Sequence, residues 1–185
     1  MKKVISKVQF ESNGFQTVFE HSFRVVVGLD ILDERIITDL GYDAICVTTN
    51  GVVKRNGELV MGAGVAKQFA NKFANIQKIL GEKVNSTGNH VYHVGTYQTL
   101  NKRSKYDVLS FPTKHNYSDK SDLDLIIKSA KRLVKWANIS GATNIILPSP
   151  GTGFGGLKQL DVFNALDDIL DDRFTITIRD NSKRA

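Results

Sequence analysis

"ATNIILPSPGTGFGGLKQLDVFNAL", residues 142–166, joins a continuous apolar run, a glycine-rich turn and an amphipathic segment end to end. "ATNIILPSP" reads as a buried strand, "GTGFGGL" as a loop and "KQLDVFNALDDIL" as a helix, since the apolar residues pass from an unbroken run to helical spacing across the glycines. A strand feeding a helix in this way is the repeating unit of a parallel sheet. The same succession recurs upstream. "FRVVVGLDIL" precedes a short helical segment near "DERIITDLG", closed by Gly41, and "DAICVTTN" precedes a loop and a helix from about Val65 to Phe73 that continues or restarts through "NIQKIL" before Gly81.

Two further strands, "HVYHVGTYQ" and "YDVLSFPT", flank the basic tip "LNKRSK", and "RFTITIR" supplies the last strand. Between them a long helix is expected from about Asp122 to Asn138, with Ser121 or Asp122 as N-cap and Gly141 past its end. On it Lys128, Lys131, Arg132 and Lys135 follow helical spacing opposite Ile127, Ala130, Leu133 and Val134. A solvated helix face is the plain reading of these cations, and a phosphate-backbone contact surface the alternative. At the N-terminus "VISKVQF" and "FQTVFE" alternate around "ESNG", a hairpin turning at Asn13-Gly14 and added to the sheet edge. Strands alternating with helices give an α/β sandwich with a largely parallel sheet. No internal repeat is visible, and the polar end "RDNSKRA" reads as disordered, with 180–185 a flexible tail.

A chain of 185 residues, 41% of them hydrophobic, fits one globular domain. Its one cysteine, Cys46, lies in an apolar run and is read as a buried structural thiol in a reducing compartment. No apolar stretch has membrane-spanning length, and the start lacks the apolar core of a secretory signal, so a cytoplasmic protein is expected. The net charge of +6 favours phosphate-bearing partners without specifying one.

In open α/β sheets ligands bind beyond the carboxyl ends of the strands. Asp30, Asn50, the turn Gly62-Ala63-Gly64, the pair Lys114-His115 and the loop Gly151 to Gly156 all fall there. Two glycine-rich loops entering helices present backbone N–H groups to two sides of a diphosphate, whereas close helix packing is the plain reading of a single Gly-x-Gly. The glycine spacing fits neither the dinucleotide fingerprint nor a Walker loop.

Taken in order, "DAICVTTN", "MGAGVAKQF", "FPTKH" and "LPSPGTGFGGL" resemble a macrodomain, the ADP-ribose-binding module, over roughly Phe23 to Ile178. "MGAGVAKQFANKF" and "FPTKH" are most similar to the branch that includes the terminal ADP-ribose protein glycohydrolase and the antitoxin that strips ADP-ribose from DNA thymidines. The resemblance implies a three-layer α/β/α macrodomain with a central mixed, largely parallel sheet and an N-terminal β-hairpin addition: one domain over 1–185, with 1–21 as the extension. It further implies that Asp30 binds the adenine amino group with the Ile31 amide nearby. Asn50 would face the distal ribose and share in catalysis. Gly62, Ala63, Gly64 and Val65 would hold the diphosphate from one side, and Gly151, Thr152, Gly153 and Phe154 from the other, with Phe154 beside the distal ribose. Lys114 matches the catalytic lysine of this branch.

The chain departs from the pattern in having Gly28-Leu29-Asp30 in place of a Gly-Asp pair, "TTN" before the loop, and Gly155 where protein-directed glycohydrolases carry an acid. Gly155 is the residue of the DNA-directed relatives. The implied activity is hydrolysis of an ADP-ribosyl linkage on DNA or another macromolecule, with Lys114 as acid, electrostatic anchor or attacking amine. Removal of phosphate from ADP-ribose 1″-phosphate and ADP-ribose reading without turnover are the competing functions. No metal and no cofactor is expected. The expected partner is ADP-ribose or an ADP-ribosylated macromolecule, nucleic acid included and membranes excluded, acting on a monomer in a bacterial or phage-infected cytoplasm. His115 is read as an ordinary loop histidine.

Overall fold

The structure is a computed structural model that describes residues 8–10, 16–18 and 21–180. In chain order its elements are β1 (Val8–Phe10), β2 (Gln16–Val18), β3 (Arg24–Val27), α1 (Glu34–Asp39), β4 (Ala44–Thr49), α2 (Gly64–Lys72), α3 (Ile76–Thr87), β5 (His93–Gln98), β6 (Lys105–Pro112), α4 (Leu123–Ser140), β7 (Ile145–Pro148), α5 (Gln159–Leu166) and β8 (Phe174–Ile178). They form one eight-stranded sheet in the order β1-β2-β3-β8-β7-β4-β6-β5. From β3 through β8, β7 and β4 to β6 every neighbour is parallel, while the β1–β2 and β2–β3 pairs and the β5–β6 pair are antiparallel. The mixed, largely parallel sheet with its added N-terminal strands is the expected architecture. The Asn13-Gly14 turn lies outside the described residues.

Successive side chains of a strand point to opposite faces, which makes two cores out of one sheet. Ala44 and Cys46 of β4 pack with the α4 residues Ile126, Ala130 and Leu133 and with Val162 and Phe163 of α5. Ile45 and Val47 pack on the other face with Ile37 of α1, Phe69 of α2 and Leu80 of α3. The continuous apolar runs read in the sequence are strands covered on both sides.

Helix α4 begins where its cap predicts, with the Asp122 carboxylate accepting from the N–H groups of Asp124 (2.9 Å) and Leu125 (3.3 Å), and it ends at Gly141 in the left-handed region. Its buried face is turned slightly from the expected one. Leu125, Ile126, Ser129, Ala130, Leu133 and Ala137 are buried, while Ile127 and Val134 are half-buried. Ser129 faces inward because its hydroxyl donates to the Pro112 carbonyl at the end of β6 (2.9 Å).

Gly81 does not end a helix, contrary to the sequence pattern, but lies inside α3. A Cβ there would collide with the carbonyl oxygen of Gly57 and lie 2.9 Å from the Leu59 nitrogen. The missing side chain lets the loop before α2 lie directly on α3, where Leu59 N–H donates to the Gln77 carbonyl (2.8 Å) and the Gln77 amide donates back to the Leu59 carbonyl (3.2 Å). In a free helix Gly→Ala stabilises by about 1 kcal/mol, but forcing a methyl into packed backbone costs about 1–3 kcal/mol. Gly81→Ala is therefore expected to lower the urea midpoint with an unchanged m-value; a raised midpoint would show that this packing is not tight in solution.

Candidate functional site

The carboxyl ends of the five parallel strands open into a cavity of about 860 Å³, within the range that encloses a nucleotide-sized ligand. Each strand contributes its following segment: Gly28 to Ile31 after β3, Asn50 after β4, Thr113 and Lys114 after β6, Ser149 and Gly151 to Gly155 after β7, and Arg179 and Asp180 after β8. All the residues singled out from sequence, Asp30, Ile31, Asn50, Gly62 to Val65, Lys114 and Gly151 to Phe154, line this one cavity.

Helix α2 explains the Gly-Ala-Gly turn. Its N-cap is Ala63, extended at φ −146° and without a side-chain cap, in a position where Ser, Thr, Asp or Asn is the usual choice. The N–H groups of residues 62–65 donate to no acceptor among the described residues. On the facing wall the same holds for the N–H groups of residues 151–154. Backbone donors are seldom left without a partner unless water or a ligand takes them. Two such rows, one at the positive end of a helix, form a receptor for an anion that has oxygens on two sides.

The second loop is locked in shape. Gly156 N–H donates to the Gly153 carbonyl (3.2 Å), Leu157 N–H to the Gly151 carbonyl (3.0 Å), and Ser121 N–H to the Gly155 carbonyl (2.9 Å). Thr152 adds a hydroxyl bond to Ser149 Oγ (2.9 Å). Gly155 is buried at the centre, and a Cβ on it would overlap Ser121 Oγ and the Gly151 carbonyl oxygen. The position has no room for a carboxylate side chain.

Asp30 sits in a tight turn, its Oδ1 accepting from Leu32 N–H (2.9 Å). Leu29, just before it, is tied to the end of β8 by the Thr177 hydroxyl, which donates to its carbonyl (3.1 Å). Asn50 is buried, and much of its side chain holds the loop that leads to α2: the amide donates to the Val60 carbonyl (2.8 Å), and the side-chain oxygen accepts from Val52 N–H (2.9 Å). One of its two amide N–H donors remains for the cavity. Lys114 Nζ donates to the Asp119 carbonyl (2.8 Å) and to the Phe154 carbonyl (3.4 Å), joining the loop after β6 to the glycine loop. The segment carrying Lys114 is itself held from behind, because Asn89 donates to the Lys114 carbonyl (3.0 Å) and Gly51 N–H to the His115 carbonyl (3.0 Å).

Phe154 is 77% exposed, an unusual position for a large apolar ring, and the Arg179 guanidinium lies 6.0 Å from its centroid. Gly64, at φ +57°, faces the same ring, so Arg179, Phe154 and the α2 turn meet at the cavity mouth. The sequence pattern places Arg179 and Asp180 in a polar tail, yet both line the cavity. The one signal for Arg179 is its place directly after an apolar strand. Cys46 takes no part: it is fully buried, and burial pushes its thiol far up from the ordinary range. Among the described residues no cluster of His, Cys, Asp and Glu is arranged to hold a metal, and no helix is long and apolar enough to cross a membrane.

This sheet order, with its cavity at the carboxyl ends of the strands, is that of the macrodomain fold, as solved structures show. The chain superposes over 96% of its length on Thermosipho africanus DarTG in complex with ADP-ribose, with a TM-score of 0.68 and 18% identity, and spans 44% of that longer chain. It is also similar to the macrodomain of Thermus aquaticus DarG (TM-score 0.63, 23% identity, 85% of this chain and 97% of that one) and to the macrodomain of Mycobacterium tuberculosis DarG (TM-score 0.60, 22% identity, 82% and 96%). No protein-family profile matches the sequence, and no curated protein matches it.

Gly155→Ala is expected to lose about 1–3 kcal/mol of stability, a drop of several degrees in Tm, because the methyl has nowhere to go. Gly153→Ala, in the same loop with open space around it, should leave Tm nearly unchanged. Equal Tm values for the two variants, measured by calorimetry, would contradict the packing at Gly155.

Proposed function

We propose that this protein binds ADP-ribose in the strand-end cavity and hydrolyses the bond that links it to DNA or another macromolecule. The observation that carries the reading is the facing pair of N–H rows, residues 62–65 and 151–154, unpartnered among the described residues, which offers a diphosphate donors on both sides. In this reading Asp30 and the Ile31 amide take the adenine end, and Asn50 and Phe154 flank the distal ribose, next to Lys114.

Hydrolysis breaks the bond at the anomeric carbon through a transition state with positive character on the sugar. Water adds its oxygen to that carbon and sheds one proton to solvent, and the acceptor atom leaves with a proton that solvent then returns to its donor. Lys114 is tied to the glycine loop itself, tethered by two carbonyls that hold its ammonium without neutralising it. We assign it the donation to the departing atom, a role worth about 10²–10⁴-fold in rate. The lack of space for an acid at Gly155 supports a substrate other than an acidic protein side chain, and DNA fits both that feature and the +6 net charge.

A second reading, ADP-ribose recognition without turnover, is favoured by one observation: Asp30 and Asp180 are the only carboxylates lining the cavity among the described residues, and they follow β3 and β8, two neighbouring strands on the side of the sheet away from β6 and Lys114. The two readings separate in one experiment. Mass spectrometry of a single-stranded oligonucleotide bearing ADP-ribosylated thymidine should show loss of the ADP-ribose mass with the wild-type protein, and loss at least about 100-fold slower with Lys114→Ala. An unchanged oligonucleotide together with tight ADP-ribose binding would select the reader. Phosphate release from ADP-ribose 1″-phosphate alone would select the phosphatase.

A further inference from the structure

Behind the Lys114 segment lies a second, smaller groove of about 290 Å³, lined in part by Asn89, His90, His115, Asp122, Lys128 and Arg132. The two cavities share a wall: Lys114 and Ser121 face the first, and the next residues in the chain, His115 and Asp122, face the second. A ligand lying over that wall touches both.

The charge balance of the groove is positive. Its single acid, Asp122, is already engaged at both oxygens, with Oδ1 capping α4 and Oδ2 lying 3.3 Å from His115 Nε2. Lys128 and Arg132, one helical turn apart on α4 and both exposed, form no ion pair among the described residues. Two cations at i, i+4 stand about 5–6 Å apart at their Cβ atoms, a span that brackets one phosphate group. The Asn89 amide donates to the Lys114 carbonyl (3.0 Å) and so ties this groove to the Lys114 segment. Two cations without ion partners among the described residues, one wall away from the first cavity, are the chemistry that receives the phosphodiester of a strand.

We infer that this groove is the subsite for the nucleotide adjacent to the modified one on a nucleic-acid strand, its phosphodiester held between Lys128 and Arg132. The inference rests on the ADP-ribose reading of the first cavity and adds to it the chemical class of the acceptor: a strand, with the linkage laid across the Lys114–His115 wall. It also gives the cationic face of α4 two unequal parts, since Lys131 and Lys135 do not line the groove.

The test measures two affinities on the whole protein. ADP-ribose is titrated by calorimetry, and a short fluorescent single strand carrying one ADP-ribosylated thymidine is followed by stopped-flow anisotropy, which reads binding before turnover. Lys128→Ala/Arg132→Ala should weaken the strand at least about tenfold and make the salt dependence shallower by about 0.7 for each phosphate the variant no longer holds, while ADP-ribose affinity stays within about twofold. Lys131→Ala/Lys135→Ala removes the same charge outside the groove and should leave strand affinity nearly unchanged. Equal weakening in both double variants would overturn the groove in favour of diffuse attraction, and so would no weakening in either. If the wild-type protein binds no ADP-ribose, the first-cavity reading falls and takes this inference with it; if it binds ADP-ribose and only the strand effects are missing, the groove alone is wrong.

Discussion

Eight backbone N–H groups, four on each of two facing loops, stand without acceptors among the described residues at the carboxyl ends of the parallel strands, and the fold around them holds both loops in place. A helix start normally recruits a Ser, Thr, Asp or Asn to cover its free donors. Here α2 begins at Ala63, which has nothing to offer, and α4, on the other face of the sheet, shows the usual solution in Asp122. The two starts differ in whether a side chain covers the free donors, and α2, whose first residues line the strand-end cavity, leaves its own uncovered. Around the open one, the tie between Gln77 and Leu59, the Asn50 bonds to Val52 and Val60, and the close packing of Gly155 on Ser121 fix the two loops at their separation. Rigid donors need no reordering when charge arrives, which is the condition under which electrostatic stabilisation is most effective.

The Lys114–His115 segment is the second organising feature. It is pinned from behind by Asn89 and Gly51 and reaches forward through Lys114 Nζ to the glycine loop. A cation in that place joins the two loop walls to the outer groove, so in the proposed reading the diphosphate and whatever carries it meet at one short stretch of chain. Parallel strands make this convergence natural, since five loops emerge at the same end of the sheet.

Much of this is legible in the sequence, for identifiable reasons. The β-branched and aliphatic runs at 24–27, 44–49 and 145–148 are too continuous for one-sided strands, and each precedes a helix, so the parallel sheet follows from pattern alone. The glycine loops stand out because they exceed what a turn requires. Less visible are features that depend on residues distant in sequence. Gly81 has the pattern of a helix stop, and only the approach of Gly57 across the fold shows why a glycine sits inside α3. Arg179 carries no motif, and its place over Phe154 comes from β8 ending beside the cavity. The inward turn of Ser129 depends on the Pro112 carbonyl, an acceptor that no periodicity in α4 encodes. His115 has the look of a commonplace loop residue, and its pairing with Asp122 emerges only when the loop after β6 is laid against the start of α4.

The most direct measurement is an amide-resolved NMR titration of the wild-type protein with ADP-ribose. The N–H resonances of residues 62–65 and 151–154 should move together and saturate at one ligand per chain, with larger shifts than any other backbone amides. Saturable binding that leaves both loops unmoved, or that shifts only one of them, would contradict a diphosphate held between two rows of free backbone donors.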